Sequence, residues 1–263
     1  MSDIVELQGP DGATARVCAH GGQLLSWVCA GHERLYLSPR ARHASGQAIR
    51  GGVPVIFPQF GDRGPGPRHG FARVRAWTPA GEGRWRLRDD DATRALWPHG
   101  FELELTVSLQ ARALSVGLDV ANTGDDAFAF TAALHTYLAV DALAGSHLHG
   151  LGGRAYYDAA RGGTRATQTE AALAFAGELD RLYPGAAGGL ALDDDGRRLR
   201  IDAEGFPDTV VWNPGPALAV ELADLGPREH ERFVCVEAAA AAQPLRLGPG
   251  ERWHGRQTLT VPD

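Results

Sequence analysis

The clearest pattern in the chain is a strict alternation of apolar and polar positions. Phe101, Leu103, Leu105, Val107 and Leu109 alternate with Glu102, Glu104, Thr106, Ser108 and Gln110, and Leu114, Val116, Leu118 and Val120 resume the pattern a few residues later. Successive side chains of an extended chain point to opposite faces, so each run reads as a half-buried strand. The spacer at residues 111–113 predicts a hairpin, and Asn122-Thr123-Gly124-Asp125 supplies the next turn. Similar short apolar runs recur at residues 16–19, 24–29, 53–57, 71–77, 128–140, 210–212, 218–222, 233–238 and 257–261, punctuated by Gly, Pro, Asn and Asp.

With 34 Gly, 16 Pro and few long windows of helical period, the pattern predicts an all-β fold, a large antiparallel β-sandwich, over an α/β arrangement. Two stretches depart from it. Residues 170–175 are Ala-rich and read as helical, and the alanines at 238–242 follow a strand and read as a small-residue turn. No repeat, linker or step in composition marks a boundary, so residues 1–263 are expected to form one domain.

Charge narrows the classes of partner. The net charge of -6 disfavours general attraction to nucleic acid or an anionic membrane, so any anion recognition must be local. The chain has no Lys, and all 26 cationic residues are Arg. Arg suits bidentate grip on phosphate, although a biased composition accounts for the count equally well. Cys18, Cys29 and Cys235 are an odd set without a CxxC pair, which argues against a disulfide framework and a thiolate zinc site and fits the cytoplasm. Residues 1–12 lack a basic start and apolar run, and no stretch of about 18 apolar residues occurs, so neither export nor membrane spanning is expected.

The segment at residues 49–77, IRGGVPVIFPQFGDRGPGPRHGFARVRAW, stands out because Gly and Pro frame a set of Arg and His. It reads as strand, loop and strand, with Gly51 and Gly52 allowing close backbone approach. The second strand places Phe71, Arg73, Arg75 and Trp77 on one face. Taken singly, Arg50, Arg63, Arg68, Arg73 and Arg75 read as solvated surface charges, but Arg50 and Arg73 converging would grip a phosphate through charge-assisted hydrogen bonds. The chain has no Walker-type phosphate loop.

In FAFTAALHTYLAV, at residues 128–140, an apolar face is interrupted only by Thr136, and His135 lies opposite it with Thr131, Ala133 and Tyr137. In FVCVEAA, at residues 233–239, Glu237 shares a face with Phe233 and Cys235. A carboxylate among apolar neighbours invites a raised pKa and a base role, against the alternative of a salt-bridged or solvated Glu. His147 and His149 share a face but lack further ligands at metal spacing, which favours surface histidines. There is no GxSxG elbow.

Several segments together resemble the glucose-6-phosphate 1-epimerase family, the phosphorylated-sugar branch of the aldose 1-epimerases. They are GGQLLSW at 21–27, LYLSP at 35–39, IRGGVPVIFPQFG at 49–61, HGFAR at 69–73, LHTYLAV at 134–140, VVWNPG at 210–215 and FVCVEAA at 233–239. The resemblance implies the galactose mutarotase type of β-sandwich and a reaction that exchanges the α and β anomers of a small phosphorylated sugar. It implies that His135 protonates the ring oxygen and Glu237 takes the proton of the anomeric hydroxyl, with no metal or organic cofactor. It also implies that Arg50 and Arg73 bind the phosphate, His69 touches the sugar, and Asp158 holds a sugar hydroxyl or orients His135. Arg68 stands where relatives often carry Gln, and is a further contact or a surface residue. The chain is expected to act as a monomer in the cytoplasm. Two other readings remain beside this one: a mutarotase of unphosphorylated aldoses, and a carbohydrate-binding sandwich without turnover.

Overall fold

The computed structural model describes residues 4–262, so the first three residues of the stretch read for a leader lie outside it. The two alternating runs form strands Phe101–Gln110 and Ala113–Asn122, paired without a break from Phe101 opposite Asn122 to Gln110 opposite Ala113. Both belong to a nine-stranded sheet, which Arg252–Thr260 joins through Ala113–Asn122. A second sheet of eight strands is centred on Asp208–Asn213, Phe233–Leu247 and Phe128–Leu134. All pairings between strands in these sheets are antiparallel.

One apolar core joins the inner faces of the two sheets. Leu103, Leu105, Leu118 and Val120 from the nine-stranded sheet meet Phe130, Leu134, Val234, Val236 and Ala238 from the eight-stranded one. A four-stranded sheet running from Ile4–Gln8 to His32–Glu33 adds Ala15, Val17, Leu24 and Trp27 to the same core. This is the expected sandwich of sheets with alternating inward side chains. Among the described residues no helix is long and apolar enough to cross a membrane, and none of the cysteines is in a disulfide.

The outer face of the eight-stranded sheet is set by the same alternation. Along Phe233–Leu247, Val234, Val236, Ala238 and Ala240 enter the core, while Phe233, Cys235, Glu237 and Ala239 face away from it. Opposite them stand Trp212, Val210 and Asp208, in the register Trp212–Cys235, Val210–Glu237 and Asp208–Ala239.

Four expectations are corrected. Residues 238–242 are not a turn: the strand continues to Leu247, because its alanines are wedged between Phe128–Leu134 and Asp208–Asn213 and buried on both faces. Residues 170–175 hold a short strand, Ala172–Ala174, which edges the nine-stranded sheet by pairing with Ser146–His149. At 170–175 sheet pairing overrides the helical preference of Ala, and at 238–242 it carries the strand through where a turn was expected. Residues 218–222 are not a strand, because Pro214 and Pro216 open the short helix Gly215–Ala219, and neither can donate to a ladder. Residues 71–77 are a 3-10 turn at Ala72–Val74 flanked by irregular chain. Phe71 and Trp77 are buried, but Arg73 and Arg75 are only partly so, and the shared face does not exist. The cause lies just before: Gly70 turns with φ +67° and stands so close to Phe57 that the amides of Phe71 and Ala72 both donate to its carbonyl.

Gly51 and Gly52 behave as the sequence suggests. At Gly52, with φ +62°, a Cβ would stand 2.1 Å from the Leu24 carbonyl oxygen, and this contact stitches the segment carrying Arg50 to the small sheet. Gly52→Ala is therefore expected to destabilise the protein by about 2 kcal/mol or more, through backbone strain and clash together, read from urea unfolding midpoints at constant slope.

Candidate active site

The outer face just described floors a cleft of about 680 Å³. His135 and Glu237 face each other at its base. His135 follows Phe128–Leu134, where the strand breaks before resuming at Tyr137–Ala139. Its imidazole Nε2 lies 3.3 Å from Glu237 Oε1. Both groups are buried, Glu237 at 1% exposure and His135 at 8%.

The backbone behind the pair is tied down from the core side. Thr136, the residue that breaks the apolar face, hydrogen-bonds through its hydroxyl to Gln257 Oε1, while Gln257 Nε2 donates to the Val236 carbonyl at 3.0 Å. The Val236 amide donates to the Thr136 carbonyl. A satisfied buried network of this kind rigidifies its surroundings, and here it fixes the spacing between the strands that carry His135 and Glu237.

Burial and charge decide where the pair keeps its proton. Burial, helped by Asp180, raises the Glu237 pKa well above the usual carboxylate range, with Arg73 opposing. Burial, helped by Arg73 and Arg50, lowers His135 to about 3. Both shifts run against the charged form, so burial disfavours a separated charge on either group. The 3.3 Å separation lets one proton pass between Oε1 and Nε2.

His69 closes one side. It has the left-handed φ of +63°, an unfavourable conformation for a histidine, and its ring stands edge-on to His135 at 5.6 Å. Its Nδ1 accepts from the Gly61 amide at 3.2 Å. Burial, with His135 and Arg73, pushes its pKa down, so the ring is neutral and its proton lies on Nε2.

The five arginines separate. Arg50 reaches Asp224 at 3.1 Å and donates to the Tyr137 hydroxyl at 3.1 Å. Arg63 donates to the Ala241 carbonyl, and Arg68 is exposed and paired with Asp62. Arg75 does not line the cleft. Arg73 does, and its Nη2 donates to the Arg68 carbonyl at 3.0 Å. Its Nε is buried and unpartnered, and among the described residues it has no carboxylate counter-ion. Burial lowers its pKa to about 10, which leaves a partly desolvated cation at neutral pH.

Asp158 falls outside the cleft. Tyr157 pairs with Leu182 and Asp158 with Arg181, so alternation turns Tyr157 to the cleft and Asp158 to the opposite side. There its carboxylate meets Arg161 and Arg181 and has no contact with His135. The carboxylate that does enter is Asp180, which burial, assisted by Glu178 and Asp158, raises to about 6 against the pull of Arg68 and Arg63. Sequence reasoning passed over Asp180, although its spacing from Leu182 places both on one strand face. Trp212, quoted within a motif but given no role, and Tyr137 also line the cleft. His147 and His149 sit on Ser146–His149, and among the described residues no three His, Cys, Asp or Glu side chains group as a metal site.

The aldose 1-epimerase family model matches residues 3–260. The chain belongs to the aldose 1-epimerase family. A curated relative from Cenchrus ciliaris, provisionally named glucose-6-phosphate 1-epimerase, is 36% identical over 98% of this chain and 84% of its own length. A relative of the same name from Escherichia coli K12 is 30% identical over 98% of this chain and 90% of its own. Among solved structures, a provisionally named mutarotase from Salmonella typhimurium superposes with a TM-score of 0.89 at 29% identity, covering 99% of this chain and 90% of that one. A provisionally named aldose 1-epimerase from E. coli K12 shares the fold at a TM-score of 0.78 and 15% identity, covering 100% and 99%. The membership accounts for the sandwich and for a sugar-sized cleft on its outer sheet.

The raised pKa of Glu237 has a consequence for stability. The folded protein holds a proton there that the unfolded chain has lost, so stability falls as pH rises from the ordinary Glu range toward the folded value. Glu237→Gln removes that loss. Its melting temperature should exceed that of the parent by a margin that widens from pH 5 to pH 8, measured by calorimetry; a constant or shrinking margin would contradict the protonated resting state.

Proposed function

We propose that the chain interconverts the α and β anomers of a hexose 6-phosphate, glucose 6-phosphate first among them, by general acid and base catalysis. The observation that carries this reading is Arg73, a partly buried guanidinium with an unpartnered Nε and no carboxylate counter-ion among the described residues, in the same cleft as an imidazole and a carboxyl group 3.3 Å apart. Ring opening needs one proton donor and one acceptor, and the pair supplies both. Names borne by the two curated relatives point to the same substrate.

In this reading the phosphate dianion sits between Arg73 and Arg50, where charge-assisted hydrogen bonds hold it. Its charge offsets the two guanidinium groups that disfavour a protonated His135, and the resting proton crosses from Glu237 to His135. Glu237 then takes the proton of the anomeric hydroxyl, the C1–O5 bond breaks, and His135 delivers its proton to O5. Rotation about C1–C2 presents the other face of the aldehyde. Reclosure with the proton movements reversed gives the other anomer and restores the pair. Concerted transfer avoids both a free alkoxide and an oxonium ion. His69 Nε2 donates to a sugar hydroxyl and Asp180 accepts from one, whereas Arg68 stays with Asp62 at the rim. The chemistry calls for no metal or organic cofactor, and the reading places the chain in the cytoplasm as a one-domain monomer.

Anomer exchange measured by NMR on glucose 6-phosphate and free glucose tests the reading. His135→Ala and Glu237→Gln should each lower kcat by about 10²- to 10⁴-fold. Arg73→Ala and Arg50→Ala should weaken turnover of glucose 6-phosphate by about tenfold or more while affecting glucose far less. Equal losses on both sugars would point to an unphosphorylated aldose, and tight binding with no exchange to a non-catalytic sandwich.

A further inference from the structure

His135 is held without the usual device. A histidine that moves protons is normally oriented by a hydrogen bond to its second ring nitrogen, from a carboxylate or carbonyl behind it. Here Nδ1 is buried and meets no carboxylate or carbonyl of another residue. The ring is enclosed by aromatic surfaces instead. Tyr137 lies nearly parallel to it, with centroids 5.0 Å apart and planes 14° apart, while Trp212 stands edge-on at 5.9 Å. Residues two apart on an extended chain share a face, which is how Tyr137 comes to lie beside His135.

Tyr137 is itself closely packed. It is 3% exposed and packs on Phe233 at 5.1 Å, Trp212 at 6.1 Å and Tyr36 at 6.4 Å. Its amide donates to the Gly52 carbonyl and its carbonyl accepts from the Tyr36 amide, so its backbone is anchored while its ring takes its tilt from its neighbours. At the far end of the ring its hydroxyl accepts from Arg50 Nη1, and Arg50 Nε donates to Asp224 at 3.2 Å. A phenol ring is rigid, so displacement of the hydroxyl must tilt the face that touches His135.

We propose that Tyr137 is a positioning residue that couples the anion grip to the proton donor: its hydroxyl sets Arg50 and its ring sets the plane of His135. This rests on the phosphate reading of the cleft. One side chain thereby aligns the two ends of the substrate, the phosphate at Arg50 and the ring oxygen at His135. An Arg50 pulled out of line by a badly seated anion misaligns the acid as well, so the coupling discriminates in turnover as well as in binding.

The experiment is a double-mutant cycle on glucose 6-phosphate with free glucose in parallel, all variants checked for fold by circular dichroism. Tyr137→Phe keeps the ring and loses the hydroxyl; it should raise KM for glucose 6-phosphate by about tenfold while lowering kcat less than about threefold. In the Arg50→Ala background the same change should add less than about twofold, because its partner is already gone. Tyr137→Leu removes the stacked ring and should lower kcat by about tenfold or more. The proposal is overturned if Tyr137→Phe leaves KM at the parent value, or if its penalty is the same with and without Arg50. It is overturned for the ring if a folded Tyr137→Leu keeps the parent kcat. Should Arg50→Ala weaken both sugars alike, the phosphate reading falls and the coupling with it; a selective Arg50→Ala with an additive cycle removes the coupling alone.

Discussion

Two ionisable side chains buried against each other in the middle of a sheet cannot both be charged without a large desolvation penalty, and the site is organised around that constraint. The 3.3 Å contact between His135 and Glu237 puts each group within reach of the other's proton, and burial disfavours the charged form of both. Everything nearby bears on that proton. The Thr136–Gln257–Val236 network fixes the distance over which it moves, Arg73 and Arg50 disfavour it on His135, and Asp180 favours it on Glu237. The same burial that makes the pair reactive makes it a stability liability, a familiar tension in sites that must keep groups poised.

The fold supplies this arrangement by plain alternation. Phe233–Leu247 is a strand whose even positions belong to the core and whose odd positions face away from it as far as Ala241, with Glu237 alone among them lining the cleft. Glu237 opens on the cleft because its neighbours Val236 and Ala238 take the core side of the same strand. Small side chains at 238–241 let neighbouring layers close over the strand, so a stretch that looks featureless carries the centre of the sheet.

Much of this was legible beforehand, and the failures are physically specific. Alternation at 101–120 located the hairpin, and the opposition of His135 and Glu237 to apolar faces placed both correctly, because period-two patterning is a local property. What local patterning cannot carry is pairing between distant strands. Residues 170–175 were misread as helical and 238–242 as a turn because a run of Ala carries no alternation, and only partners elsewhere in the chain decide its strand. Residues 71–77 failed because the turn at Gly70 answers to Phe57, a contact visible only in three dimensions. Asp158 was one strand away from the useful position, since the register that sets Asp180 in the cleft is fixed by pairing with Trp212. The sequence offered Arg73 as one of five similar arginines; its lack of a counter-ion emerges only from the fold.

The parts of the cleft differ in how they are built. The proton pair and Asp180 stand on or beside paired strands of one sheet, whereas Arg50, His69 and Arg73 hang from the irregular segment that precedes them. The two halves of the cleft thus hang on different supports: one is held in register by interstrand ladders, the other by turns and single bridges, so a change in the glycine- and proline-rich segment would shift the guanidinium groups of Arg50 and Arg73 without disturbing the spacing of His135 and Glu237.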